Sequence, residues 1–170
     1  MALANLVTYD LMVGELSVGI SSTDTDLQDF FNDVVEQTQR DILIKLLGVT
    51  LYRYYYNNED ETLTNGVKGG FYLNDNKYYE FRGLKEMLKY FVFFYYQKQI
   101  QSFSTSSGER KELHAERPEA ITSLNAKLVK CWNKGVKLFN EAIIYINFIN
   151  SSSNIYENFE PQSIDKLYEI

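Results

Sequence analysis

The stretch GLKEMLKYFVFFYYQKQIQSF, residues 83–103, decides the fold of this 170-residue chain. Its first half carries apolar residues at helical spacing, on one stripe made of Leu84, Met87, Leu88, Phe91 and Tyr95. Its middle, residues 90–96, is apolar or aromatic on every side. A helix that is apolar all round must be covered all round, so we expect it at the centre of a domain or between subunits.

Two further long helices are predicted on either side of this stretch. The first runs from about residue 24 to Leu47, with Thr23 or Asp24 as its N-cap and Gly48 as its stop. We expect its inner face to carry Leu27, Phe30, Phe31, Val34, Val35, Ile42, Leu43 and Leu46. A short helix over residues 49–56 follows, although its consecutive tyrosines also suit a strand.

The last helix is predicted to begin at Pro118, a residue suited to the first helical position, and to end near residue 149. Its apolar stripe consists of Ile121, Leu124, Leu128, Trp132, Val136, Phe139, Ile143, Ile146 and Ile149. Within that helix, Gly135 indicates either a bend or the close approach of another segment.

Aromatic runs on both sides of Asn-Asp-Asn-Lys predict a β-hairpin at about residues 71–81 with a four-residue loop, 74–77. The fold class is therefore mainly α: a helical bundle of three long helices plus a short helix, a small β-hairpin, and extended N- and C-terminal arms. We divide the chain into an N-terminal arm at 1–22, a helical-bundle domain at 23–150 with a loop at 104–117, and a C-terminal tail at 151–170.

The amino-acid composition argues against some classes of function and favours others. The chain has a formal net charge of −6, which argues against nonspecific nucleic-acid binding by the whole surface. Tyr and Phe are abundant, at 14 and 11 residues, and tyrosine suits surfaces that become buried on assembly. One cysteine excludes an internal disulfide, and no signal peptide or run long enough to span a membrane is evident, so we expect a soluble intracellular protein without membrane association.

Residues that could carry chemistry are few. His114 is the only histidine and lies in a charged segment, and Cys131 adjoins the apolar stripe of the last helix. A Cys–His pair is formally conceivable but nothing in the pattern favours it, so we predict no catalytic residue, no cofactor and no metal. Lys127, Lys130, Lys134 and Lys137 share one helix face, which is either an ordinary solvated face or a strip facing DNA phosphates.

The order of features along residues 40–126 carries a resemblance. The matching positions are Leu46-Leu47-Gly48, Leu51-Tyr52, Gly69-Gly70, Tyr78-Tyr79-Glu80-Phe81, Arg82-Gly83-Leu84-Lys85, Leu88-Lys89-Tyr90-Phe91-Val92-Phe93, Thr105-Ser106-Ser107-Gly108 and Asn125-Ala126. This order resembles the small neck proteins of tailed bacteriophages and of prophages from gut Bacteroides, including the crAss-like group. Those proteins are head-completion, adaptor or connector-ring proteins beneath the portal.

The resemblance implies a non-enzymatic helical-bundle subunit without a cofactor, located in the head–tail neck of the virion after synthesis in the bacterial host cytoplasm. Its implied partners are copies of itself in a twelve-fold ring, the portal protein, other neck or tail proteins, and genomic DNA that passes through the channel without sequence-specific binding. Under this hypothesis we expect contacts to partners from the hairpin and the tail, through Phe71, Tyr72, Tyr78, Tyr79, Phe159, Leu167 and Tyr168.

Two other hypotheses remain open from the sequence. One is a non-enzymatic adaptor module in which the aromatic helix binds a helical partner. The other is a small DNA-binding protein that uses the face from Lys127 to Lys137 and whose affinity falls steeply with salt. An enzyme ranks last because few polar groups can converge on one site.

Overall fold

The computed structural model describes residues 5–57, 68–74, 76–106, 118–149 and 163–164. The elements are α1 (Thr25–Tyr56), β1 (Gly70–Asn74), β2 (Lys77–Phe81), α2 (Leu84–Ser106) and α3 (Pro118–Ile149), preceded by two single-turn 3-10 helices, Tyr9–Leu11 and Gly14–Leu16. The prediction of a mainly α fold with one small β-hairpin is confirmed.

The helix α2 occupies the centre of the domain and packs against both α1 and α3. In the stretch predicted to be covered on every side, residues 90–94 and Tyr96 are buried, and Tyr95 is half-buried. Tyr96 meets α1, where the Phe31 ring contacts it edge-on at a centroid distance of 5.3 Å. On the α3 side, Trp132 contacts Phe94 at 4.9 Å. Neighbouring helices of the same chain therefore cover α2.

The helix α1 begins and breaks where the sequence predicts. Asp24 caps it, because the Asp24 Oδ1 accepts a hydrogen bond from the Leu27 N–H at 3.1 Å. Gly48 has φ 71° and ψ 165°, a backbone conformation that essentially only glycine adopts, and this interrupts the helix. The predicted short helix is the part of α1 beyond that break. The expectation that Leu27 is on the inner face is wrong, since it is 38% exposed and lies one turn before Phe31, the first buried residue of α1.

The hairpin closes more tightly than predicted. Asn74 pairs with Lys77 in the antiparallel register, so the strands include both residues and the predicted four-residue loop at 74–77 is wrong. The left-handed conformation of Asn76, with φ 60°, supports so short a connection, because asparagine tolerates positive φ in tight hairpin turns. The strand β2 ends on Phe81, which is buried against the bundle.

The segment from residue 5 to residue 20, predicted as part of an extended arm, packs on the helical bundle of its own chain. Val7, Met12 and Leu16 are buried and belong to the hydrophobic core. The Leu6 N–H donates a hydrogen bond of 2.7 Å to Oε1 of Gln39, a buried polar residue of α1. The apolar residues of this segment recur without helical or strand spacing, which is why periodicity did not reveal the packing.

Several predictions fall wholly or partly outside the described residues. The structure extends α2 to Ser106, three residues beyond the predicted helix end, and residues 107–117 of the predicted loop lie outside the description. The same holds for His114 and for most of the tail, including Phe159, Leu167 and Tyr168.

Candidate interaction surface on the hairpin

The two faces of the hairpin have different surroundings. In the register of β1 and β2, Tyr72 pairs with Tyr79, Phe71 with Glu80, and Leu73 with Tyr78. Paired residues in an antiparallel ladder point to the same face of a sheet, and successive residues alternate. One face therefore carries Tyr72, Tyr79 and Phe81, and the other carries Phe71, Leu73, Tyr78 and Glu80.

The inner face of the hairpin is fixed to the C-terminal half of α3 by aromatic contacts. The ring of Phe81 stacks on Tyr145 at a centroid distance of 4.5 Å. Tyr72 contacts Tyr145 at 5.4 Å, Phe148 at 5.0 Å and its cross-strand partner Tyr79 at 5.5 Å. Burial raises the pKa of the Tyr72 phenol, and the neighbouring Tyr79 and Glu141 add to the effect. These contacts hold the hairpin in a defined orientation.

The outer face of the hairpin is exposed and largely apolar. Phe71 is 77% exposed, Tyr78 is 80% exposed and Leu73 is 47% exposed. Glu80 is the charged residue among these four outward positions. Side chains of this size are normally buried, and a cluster of them on a rigidly placed element is typical of a surface that binds another protein.

The predicted contact residues of the hairpin thus divide into two groups. Phe71 and Tyr78 lie on the exposed outer face, whereas Tyr72 and Tyr79 lie on the inner face. Tyr72 contacts α3, and Tyr79, which is 38% exposed, stacks on Tyr72. Leu73 was missed by the sequence analysis, although it alternates with Phe71 along one strand and that alternation was the available signal. We call Phe71, Leu73 and Tyr78 the outer hairpin face.

Exposed apolar side chains also occur on α3, beside the inner face of the hairpin. Ile144 is 50% exposed and Phe148 is 39% exposed. Together with Asn74 and Asn147 they line an open depression of about 490 Å³ between the end of β1 and α3. This depression could not be predicted from sequence patterns, because its residues come from segments about seventy positions apart.

A second depression of about 490 Å³ lies on the outer side of α1. Its lining mixes charged, amide and apolar side chains: Asn5, Glu36, Gln39, Arg40, Ile44, Val49, Tyr52, Arg53 and Tyr56. Burial raises the pKa of Tyr52, and the Arg40 charge opposes that rise. Among the α1 side chains that the structure describes, Val49 is the most exposed large apolar one, at 73%.

The lysines predicted to form a strip on the last helix have different environments. Lys127 lies over the ring of Phe93, with its Nζ 4.6 Å from the ring centroid. Lys134 lies over Tyr90 at 4.7 Å and forms an ion pair of 3.2 Å with Glu15. Lys130 and Lys137 are exposed. Two of the four lysines therefore interact with aromatic or acidic groups of their own chain.

The described residues contain no group of three or more His, Cys, Asp or Glu side chains that could hold a metal ion. Cys131 is buried, and burial raises the pKa of its thiol, with the Glu15 carboxylate acting in the same direction. Within the part of the chain that the structure covers, every helix is too short or too polar to cross a bilayer.

Fold and surface together define a mainly α, three-helix domain that presents an aromatic hairpin. Comparison with protein-family models, with curated proteins and with solved structures finds no match.

Proposed function

We propose that this protein is a structural virion component, a subunit of a connector ring that joins the portal of a phage capsid to the tail and surrounds the DNA channel. The observation that carries the proposal is the outer hairpin face, where Phe71 and Tyr78 are 77% and 80% exposed. A ring subunit needs such a surface on each copy, because a heterologous contact places one surface against a different surface of the next copy.

Two further features support a structural role. The hairpin is held by stacked aromatic rings, so the outer hairpin face is already oriented before a partner binds, which lowers the entropic cost of assembly. The resemblance to phage neck proteins, over residues 40–126, includes the hairpin and the central helix and points to the same kind of assembly. The net charge of −6 also suits a channel wall past which DNA slides without adhering.

The lysine environments weaken the DNA-binding alternative. Lys134 is paired with Glu15, and Lys127 lies over an aromatic ring, so the strip offers phosphates less than its four charges suggest. The proposed connector ring therefore contacts DNA without specific binding.

Replacing the outer hairpin face tests the proposal. We expect the double variant Phe71→Ser/Tyr78→Ser to fold normally, because both side chains are mostly exposed, and to lose assembly with itself or with the cognate portal. The control is Val49→Ser, which removes an apolar residue of similar exposure from α1. Assembly measured by sedimentation velocity should persist in the control. Normal assembly of the hairpin variant would contradict the proposed role of this face.

A further inference from the structure

Asn133, near the middle of α3, forms two hydrogen bonds with the main chain of Ile164. The Asn133 Oδ1 accepts from the Ile164 N–H at 2.7 Å, and the Asn133 Nδ2 donates to the Ile164 carbonyl oxygen at 3.0 Å. An N–H must meet an oxygen and a carbonyl must meet an NH₂ group, so these partners fix the orientation of the side-chain amide. The arrangement reproduces the two bonds that facing residues exchange in an antiparallel ladder.

Both bonds involve main-chain atoms of Ile164, so they recognise backbone rather than a particular side chain. Selectivity must then come from the Ile164 side chain, which is partly buried and packs against the hydrophobic core, while the preceding Ser163 is exposed. Many peptide-binding sites combine the same two features: main-chain hydrogen bonds provide affinity, and a buried side chain provides specificity.

The length of the chain permits its own tail to reach this site. Asn133 lies about 24 Å back along α3 from its end at Ile149, at 1.5 Å per residue. The residues from Ile149 to Ile164 can span about 50 Å when extended, which is twice that distance. The entropic cost of closing such a loop grows slowly with its length.

We propose that Asn133 anchors a peptide-docking site on α3 and that its occupant is the C-terminal segment of the same chain, held at Ile164. The anchor fixes Ile164 beside the middle of α3. Residues 165–170, which include Leu167 and Tyr168, follow this anchor in the sequence. This proposal holds whether or not the protein forms a connector ring.

Hydrogen exchange of the full-length protein, resolved at the Ile164 amide, tests the anchor. We expect Asn133→Ala to lower the protection of this amide about tenfold or more, because both bonds are lost. Asn133→Asp keeps an acceptor for the Ile164 N–H but cannot donate to its carbonyl, so its protection should be intermediate. Asn140→Ala, which removes an exposed asparagine from the same helix, should match the wild type.

Equal exchange at Ile164 in the wild type and in Asn133→Ala would overturn the anchor. If Asn133→Ala does not fold, Asn133→Leu takes its place, because leucine is similar in size and can form neither bond, and unchanged protection there overturns the anchor equally. Thermal melting of each variant separates a local loss at Ile164 from a loss of overall stability.

Isotope mixing tests whether the C-terminal segment bound at Asn133 belongs to the same chain or to a second copy. Equal amounts of ¹⁴N- and ¹⁵N-labelled protein are mixed in denaturant, refolded together and treated with a carbodiimide, which couples a lysine amine of α3, such as that of Lys130 or Lys137, to a carboxylate that lies against it. Asp165, next to Ile164 in the sequence, is the carboxylate to look for. Cross-linked peptides in which both halves carry the same isotope support docking of the chain's own tail. Mixed-isotope peptides in the proportion expected for random pairing would overturn it and assign the site to the tail of a second copy.

Discussion

The ring of Phe91 in α2 lies directly over Gly135 in α3, so close that a methyl group on Gly135 would be 3.1 Å from the Phe91 Cζ. Phe91 is fully buried. Trp132 contacts its ring edge-on at a centroid distance of 5.2 Å, and Phe139 does so at 6.5 Å. The ring therefore has little room to move, and the absence of a side chain at 135 is what allows α2 and α3 to approach here.

We expect Gly135→Ala to lower the free energy of unfolding by about 1 kcal/mol. Alanine improves helix propensity by up to about 1 kcal/mol, but overpacking a buried contact costs about 1–3 kcal/mol. Urea denaturation measures the difference. In a Phe91→Leu background the same substitution should be neutral or stabilising, because the smaller side chain leaves room for the methyl group. A more stable Gly135→Ala protein with Phe91 intact would show that the ring can move after all.

The break in α1 at Gly48 gives a second prediction. Its φ of 71° and ψ of 165° are strained for any residue with a Cβ, so Gly48→Ala should destabilise the protein by about 1–3 kcal/mol. Gly70→Ala is the control: its φ is not positive and a Cβ there meets no atom within 4 Å, so the effect should stay within about 0.5 kcal/mol. Similar stabilities of the two variants in thermal melting would contradict a conformational requirement at residue 48.

The Glu15–Lys134 ion pair predicts that the packing of the N-terminal segment against the bundle is stabilised in a pH-dependent way. The Lys134 hydrogen bond and charge lower the pKa of Glu15 below its usual 4.5, and the Tyr90 hydroxyl, 3.3 Å from Glu15 Oε1, donates a further bond. The Lys134 pKa is raised above 10.5, with Tyr90 and Glu15 favouring its charged form. The ion pair therefore stabilises the folded protein fully between pH 4.5 and pH 10.5, the ordinary pKa values of the two groups. This stabilisation is lost as the pH falls through the lowered Glu15 pKa or rises through the raised Lys134 pKa.

Since Glu15 and Lys134 are both substantially exposed, the effect of Glu15→Gln should be small, below about 1 kcal/mol at pH 7. Hydrogen exchange of residues 9–17 should show faster opening in the variant at pH 7, and the difference should shrink as the pH falls below 4.5 through the lowered pKa of Glu15. A difference that is independent of pH would exclude the ion pair as its cause.

The buried cysteine predicts slow thiol chemistry. Because burial raises the pKa of the Cys131 thiol and limits access to it, the native protein should react with a disulfide reagent far more slowly than the unfolded chain at pH 8. Destabilising variants such as Gly48→Ala should react faster, in proportion to their unfolded population. Rapid labelling of the native wild type would show that Cys131 is accessible.

Local signals accounted for most of the helical fold. Helical spacing predicted α2 and α3, Pro118 marked the start of α3, and Gly48 marked the break in α1. Tertiary contacts were harder to predict. The hydrogen bonds from Asn133 to Ile164 join residues 31 positions apart, and the Glu15–Lys134 pair joins residues 119 apart. No periodicity encodes such contacts, because they depend on how separate elements pack.

In the hairpin, too, local structure was predicted from the sequence but tertiary contacts were not. Its existence and its aromatic character were predicted from the sequence, but which tyrosines face inward depends on the pairing register and on the position of Tyr145 in α3. Tyr72 and Tyr79 therefore could not be separated from Phe71 and Tyr78 before the register was known.

Native mass spectrometry of the purified protein, alone and then mixed with its cognate portal protein, tests the proposed function most directly. The proposal predicts a discrete high-order ring, or a fixed number of copies added to each portal assembly, and the loss of that species in Phe71→Ser/Tyr78→Ser. A monomer or dimer that ignores the portal would contradict it, and salt-dependent DNA binding would then be the next property to measure.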